Sequence, residues 1–179
     1  VSIWDFYPDP NARSMDEAEF IIQRHRLNRH QFLDLANRPF FKKEAILECL
    51  KDGANYTKKE WETDIDLEKS HYADINKNRF EVLEYWGTIN ALVAREEGLE
   101  VDEEIDDSAE VQVNIWMHRG KIIRLVENPF KPFRNPYQAF VYEKNPYTFF
   151  GIGVPENMDD AQQIMNGHAR MAIDNLALA

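Results

Sequence analysis

One cysteine in 179 residues, Cys49, leaves nothing for an intrachain disulfide, and such usage fits a reducing compartment. Cations are also scarce: 21 Lys and Arg stand against 32 Asp and Glu, a formal net charge of −11. Gripping a phosphate backbone requires clustered cations that displace counterions, so a basic nucleic-acid clamp is excluded, and anionic lipid is repelled. No apolar run approaches the roughly 18 residues of a membrane span. The opening Val1-Ser2-Ile3-Trp4-Asp5 lacks the charged and apolar regions of a secretory signal, so a soluble, cytosolic chain is expected. What is present is 44% hydrophobic residues and 12% aromatics, enough for a core and too many rings for a disordered tail. The first residue is not Met, and Asn175-Leu176-Ala177-Leu178-Ala179 ends inside a helical pattern. An excised piece of a longer chain is expected from those two features.

Helices dominate the first half of the pattern. Pro8 and Pro10 keep the opening extended, and Ser14 with Glu17 reads as a capping box for one helical turn. Glu19 to Arg26 reads as a strand. Asn28 and Gln31 form a second box, opening a helix with Phe32, Leu33, Leu35 and Ala36 inward and stopping near Pro39. Lys42 to Lys51 places Ala45, Ile46, Cys49 and Leu50 on one face and ends at Gly53. A third box, Thr57 and Glu60, opens a helix whose stripe is Trp61, Ile65, Glu68, Tyr72 and Ile75.

From Phe80 the period shortens. Phe80 to Trp86 reads as a strand ended by Gly87. Thr88 to Glu97 fits helix and strand nearly equally, and the acidic run Glu96 to Glu110 reads as a mobile, exposed loop whose like charges repel. Val111 to His118, the turn Arg119-Gly120 and Lys121 to Val126 form a hairpin. Gln138 to Glu143 and Tyr147 to Phe150 read as short edge strands between prolines. A last helix from about Glu156, with Pro155 at or just before its first position, carries a stripe of Ala161, Ile164, Met165, His168, Ala172 and Leu176. The whole reads as α+β: N-terminal helices packed with a mainly antiparallel sheet, then a long C-terminal helix. One region, 1–179, is expected, with a sub-division into 1–79, mainly helical, and 80–179, hairpins plus helix.

No catalytic set emerges. Asp102 to Asp107 lacks the glycine an EF-hand loop needs at its sharp turn. The five histidines, His25, His30, His71, His118 and His168, have no zinc-protease spacing, so no metal site is assigned. Cys49 on an apolar helix face reads as a small core residue. Gly151-Ile152-Gly153 before a helix has the order of a phosphate-binding turn, but the third glycine is missing. Glu156, Asp159 and Asp160 fill the first helical turn, stabilise the helix dipole themselves and repel a pyrophosphate. No cofactor is expected. The two glycines read as a sharp strand-to-helix turn, with Pro155 starting the helix.

The most distinctive string is Asn145-Pro146-Tyr147-Thr148-Phe149-Phe150-Gly151-Ile152-Gly153-Val154-Pro155-Glu156, continuing through Asp160, Gln162, Asn166, Arg170, Asp174 and Asn175. It resembles a segment of the portal, or head-to-tail connector, proteins of tailed bacteriophages, the short-tailed kind especially. Val82-Leu83-Glu84-Tyr85-Trp86-Gly87 resembles their Glu-aromatic-Trp-Gly strand. Val113 to Arg124 resembles the hairpin that follows it, and Phe6 to Ser14 fits loosely.

The resemblance implies a non-enzymatic virion protein of a phage or prophage, covering the wing region. In that family about twelve copies form a ring at one capsid vertex. Double-stranded DNA passes through without sequence-specific binding during packaging and ejection. The implied partners are other copies of the chain, the terminase large subunit, capsid or scaffold proteins and tail adaptors, with no membrane. Assembly would occur in the bacterial host cytoplasm. Gln162, Asn166, Arg170 and Asp174, spaced by four, would form an inter-subunit or inter-segment polar face, or else a solvated one. Trp86 and Trp116 read as core anchors. The other reading is an acidic protein-interaction or DNA-mimic module that uses the Glu96–Glu110 loop.

Overall fold

The computed structural model describes residues 1–57, 59, 62, 78–102, 104–132 and 135–177. Five strands form one antiparallel sheet in sequential order: β1 (Phe6–Pro8), β2 (Ile21–Leu27), β3 (Phe80–Asn90), β4 (Glu110–His118) and β5 (Lys121–Glu127). Among the described residues four α-helices accompany it: α1 (Arg29–Leu35), α2 (Lys43–Asp52), α3 (Ala91–Glu96) and α4 (Val154–Ala177). The expected α+β class is therefore observed. The chain divides into two compact units, Val1–Asp9 with Glu19–Pro136, and Pro10–Ala18 with Tyr137–Ala179. The sheet belongs wholly to the first, with β3 at its centre.

Local rules account for the first unit's elements. The Asn28 carboxamide accepts from the Gln31 backbone at 2.8 Å while the Gln31 side chain accepts from Asn28 at 2.9 Å, so the capping box starts α1 as expected. Phe32 and Leu35 of that helix are buried, and Ala36 packs beside them, but Leu33 is exposed. A seven-residue helix presents one narrow inward stripe, and Leu33 falls outside it. Helix α2 ends at Gly53, whose φ of 81° suits a residue without a Cβ. The hairpin turn places Arg119 and Gly120 at φ 51° and 77°, the paired positive values that match strand twist.

The core lies where α1 and α2 cover one sheet face. Phe32 stacks on Phe80 at 4.9 Å, and Ile46, Cys49, Leu50, Val82 and Ile123 complete the cluster. Each such side chain contributes about 1.5–3 kcal/mol on burial. Trp116 packs against this cluster and Trp86 is buried further along the sheet, so both serve as core anchors. A bulge between Trp116 and Met117 gives β5 one extra residue and lets Ile123 enter the core.

Several expectations are corrected. Gly87 does not end β3, which continues to Asn90. A Cβ at Gly87 would lie 2.6 Å from the Tyr85 hydroxyl and 2.8 Å from Phe20 Cβ, so the glycine makes room for a folded-back tyrosine. That tyrosine donates to the Thr88 carbonyl at 2.9 Å. Thr88 to Glu97 is both things in turn, strand to Asn90 and then helix α3. Ser14 to Glu17 is a turn rather than a helical one, because the Glu17 carboxylate accepts from Arg13 instead of Ser14.

Neither Gln138–Glu143 nor Tyr147–Phe150 forms a strand; among the described residues only the bridge Glu143 to Ile152 remains. Pro136 and Pro146 remove donors, and the Asn145 side chain takes the Tyr147 amide at 2.9 Å, which commits that segment to a turn. The expected helix after Thr57 and Glu60, with its stripe from Trp61 to Ile75, lies outside the described residues.

Candidate functional site

In the second unit, the features singled out in the sequence converge on the turn into α4 and the helix itself. Glu143 bridges Ile152, whose amide donates to the Glu143 carbonyl at 2.9 Å. The Asn157 carboxamide donates to the Glu143 carboxylate at 2.6 Å, tying the first helical turn to the same residue. Gly151 sits inside this clasp. A Cβ there would run into the Glu143 carbonyl oxygen and lie 2.7 Å from Val141 Cβ. At Gly153 an added Cβ would meet only the Pro155 ring, at an ordinary 3.5 Å. Pro155 takes the second position of α4, where its missing N–H costs no intrahelical bond.

Helix α4 runs 24 residues without one buried side chain. Ile164, Met165, Met171, Ile173 and Leu176 are each more than half exposed. Gln162, Asn166, Arg170 and Asp174 are likewise exposed and share one face by their spacing of four. An isolated helix gains little from propensity, so most helical stability comes from packing an apolar stripe. Here Ile164, Met165 and Leu176 of the expected stripe stand exposed.

The acidic segment is exposed, as expected, but it has a fixed anchor. Arg95 ion-pairs with Asp107 and donates to the Asp102 and Ile105 carbonyls at 2.8 and 2.6 Å. Among the described residues no group of three or more His, Cys, Asp or Glu is placed to hold a metal ion. Among them, too, no helix is long and apolar enough to cross a membrane. Cys49 is buried, and that burial, helped by Asp52 and Glu48 against Lys121 and Arg119, raises its thiol pKa. It is a core residue, with no thiolate character for catalysis.

Two polar networks in the first unit escaped the sequence reading. On one sheet face Arg24 is 2% exposed and meets Asp5 through Nε at 2.8 Å and Nη2 at 2.7 Å. Arg26 reaches Asp5 at 2.6 Å and Glu62 at 3.1 Å, and Glu62 also takes the Tyr56 hydroxyl and the Lys59 amide. Burial, then the Glu62 carboxylate, pushes the Tyr56 pKa up to about 12. Burial opposes the charge of Arg24, yet Asp5 and the neighbouring tyrosines more than restore it.

On the other face Glu84 gathers His25 at 2.8 Å, Trp86 Nε1 at 2.9 Å and Asn114 at 3.1 Å. Burial pushes Glu84 up, but those donors together hold it below the ordinary carboxylate value. The only sequence hint was polar residues on both faces of Gln23-Arg24-His25-Arg26, in a strand too interior to expose them.

His118 is expected to make the fold acid-sensitive. Its Nδ1 donates to the Glu81 carbonyl at 2.8 Å, and its buried Nε2 has no partner among the described residues. Burial depresses its pKa below 6.5; the Glu81 carbonyl and Asp52 oppose this and Arg119 adds to it. A group depressed in the folded state contributes its full stability above the unfolded value and loses it as pH falls toward the folded one. The urea midpoint is therefore expected to hold at pH 7.5 and drop from about pH 6.5 downward, with a second loss from Glu84 below about pH 4.5. A midpoint unchanged between pH 7.5 and 5 contradicts this.

Compared with known proteins, the chain matches a family model described as phage SU10 portal protein across residues 1–179. No curated protein matches it.

Proposed function

Because the chain belongs to the phage SU10 portal protein family, we propose that it is a subunit of a ring at one capsid vertex through which DNA enters during packaging and leaves during ejection. Its role is structural. The match over the whole chain carries the proposal. The uncovered 24-residue helix supports it, because a subunit of a closed assembly displays apolar surface until its neighbours arrive.

The charge supports it too. Each cation paired to a phosphate adds affinity that moving DNA would have to break, whereas a net charge of −11 repeated around a ring repels it. Gln162, Asn166, Arg170 and Asp174 then serve as a polar face toward a neighbouring subunit or segment, and Gly151 sets the angle at which the chain enters the helix. Terminase, capsid or scaffold proteins and a tail adaptor are the partners this role requires, and the virion is its location.

The exposed, Arg95-anchored acidic loop favours a second reading, a module that binds a basic protein. Light scattering on the natural gene product separates the two. A discrete assembly of about twelve subunits supports the ring. A strict monomer that binds a basic partner in a salt-sensitive way, and loses it when residues 96–110 are deleted, supports the second reading and overturns the first.

A further inference from the structure

His118 is the last residue of β4, and its ring is 1% exposed. It packs against the stacked pair Phe32 of α1 and Phe80 of β3, at 5.2 and 5.7 Å between ring centres. Its Nδ1 meets the Glu81 carbonyl at 2.8 Å; a carbonyl only accepts, so Nδ1 carries the proton of the neutral ring. The next proton must go to Nε2, which is buried and has no partner among the described residues. A charge formed there loses its water and finds no acceptor.

The charges around the ring do not offset that loss. Helix α2 brings Asp52, β3 brings Glu81 and the hairpin turn brings Arg119. Lys121, opposite His118 on β5, is held by Glu48 and Asp52 at 2.9 and 3.5 Å, and α1 meets the imidazole with the Phe32 ring. Burial outweighs the two acidic groups and Arg119 works against them, so the proton is held more weakly than on an exposed imidazole.

The helix pair depends on this same cluster. The buried side chains of α1 and α2 are Phe32, Leu35, Ile46, Cys49 and Leu50, and all five enter it, against Phe80, Val82 and Ile123 of the sheet. Other ties lie at the rim: exposed Arg119 donates to the Asp52 and Ala54 carbonyls at 3.3 and 3.5 Å, and partly exposed Lys121 pairs with α2 carboxylates. Exposed ties of this kind contribute little. Between the helices, the Lys42 amide donates to the Ile123 carbonyl at 2.8 Å and fastens that segment to β5. The sheet keeps its own ladders and a separate set of buried residues, Ile21, Trp86, Val113 and Ile115. We infer that protonation of His118 at Nε2 releases α1 and α2 together from the sheet, with the Phe41–Lys42 segment as the hinge, while β2, β3 and β4 stay paired. This is a proton-operated latch built into the first unit, and it does not depend on the ring reading. The closed form excludes the proton and the open form takes it, so opening gains up to about tenfold per pH unit below about pH 6.5 and nothing above it.

Hydrogen exchange read by mass spectrometry on the natural gene product tests the latch at pH 7.5 and 5.5, with exchange times scaled to the chemical rate at each pH. Peptides from residues 29–52 are expected to lose protection severalfold at pH 5.5, while peptides from 82–90 and 110–117 keep theirs. Reaction of the buried Cys49 with a thiol reagent, taken relative to the urea-unfolded chain at the same pH, is expected to rise in step. His118→Asn, whose amide can still donate to the Glu81 carbonyl but does not titrate, is expected to abolish both changes. Unchanged protection of 29–52, an equal loss across the sheet, or an acid response that persists in His118→Asn overturns the inference. Should His118→Asn not fold, the contrast between helices and sheet in the unsubstituted chain decides.

Discussion

Replacing Arg24 by alanine is expected to lower the unfolding free energy by about 3–5 kcal/mol, since it strips the charge partner from buried carboxylates. Asp5 is 7% exposed and Glu62 7%, so neither carboxylate can turn fully to water when Arg24 leaves. Arg26 still touches both, at 2.6 and 3.1 Å, but it is the more exposed of the two arginines and holds each through one nitrogen. The loss also frees the Ile3–Asp5 turn, which Arg24 fastens to β2.

The sheet itself should survive, because its core on the opposite face uses none of these groups. Urea unfolding measures the loss. Combining Arg24→Met with Asp5→Leu should destabilise less than the sum of the two single changes, because the pair is removed together. Additive losses, or a single-variant loss below about 1 kcal/mol, would mean the cluster is solvated and contributes little.

The second large effect is at the turn into α4. Gly151→Val places a side chain where the Glu143 carbonyl and the Val141 side chain already stand, and neither is the flexible end of a long group. Overpacking of that kind costs about 1–3 kcal/mol. It also breaks the Glu143 clasp, which holds Ile152 and Asn157 and so sets the direction of the helix. The variant is expected to lose assembly while the first unit keeps its unfolding transition. Gly153→Ala is expected to assemble normally, since its Cβ meets only ordinary contact. Equal behaviour of the two variants, assembled or not, contradicts a role specific to Gly151.

Local codes made much of the fold legible. The β4–β5 hairpin showed in the alternation of Val111, Val113, Ile115 and Met117 and in the Arg119-Gly120 turn. The start of α1 showed in Asn28 and Gln31. What failed was punctuation with two physical meanings. Gly87 reads as a stop, yet it is a gap left for the Tyr85 ring, which only the fold brings back over it. Phe140 and Tyr142 have strand-like residue types, but the prolines around them withhold the donors a ladder needs, and both stay exposed.

The Arg24 cluster was illegible for a different reason. Its partners lie 19 and 38 residues away, and no periodicity links them. The turn at Gly151 and the polar spacing on α4 were visible as patterns. That an added Cβ would collide at Gly151 and meet only ordinary contact at Gly153 depends on Val141 and Glu143 folding back against the turn.

The central proposal is that this chain belongs to a subunit of a portal ring, and negative-stain images of the natural gene product test it most directly. Particles with a central channel and rotational symmetry of about twelve are the expected result. Single asymmetric particles at every protein concentration, in preparations that remain folded, would contradict it.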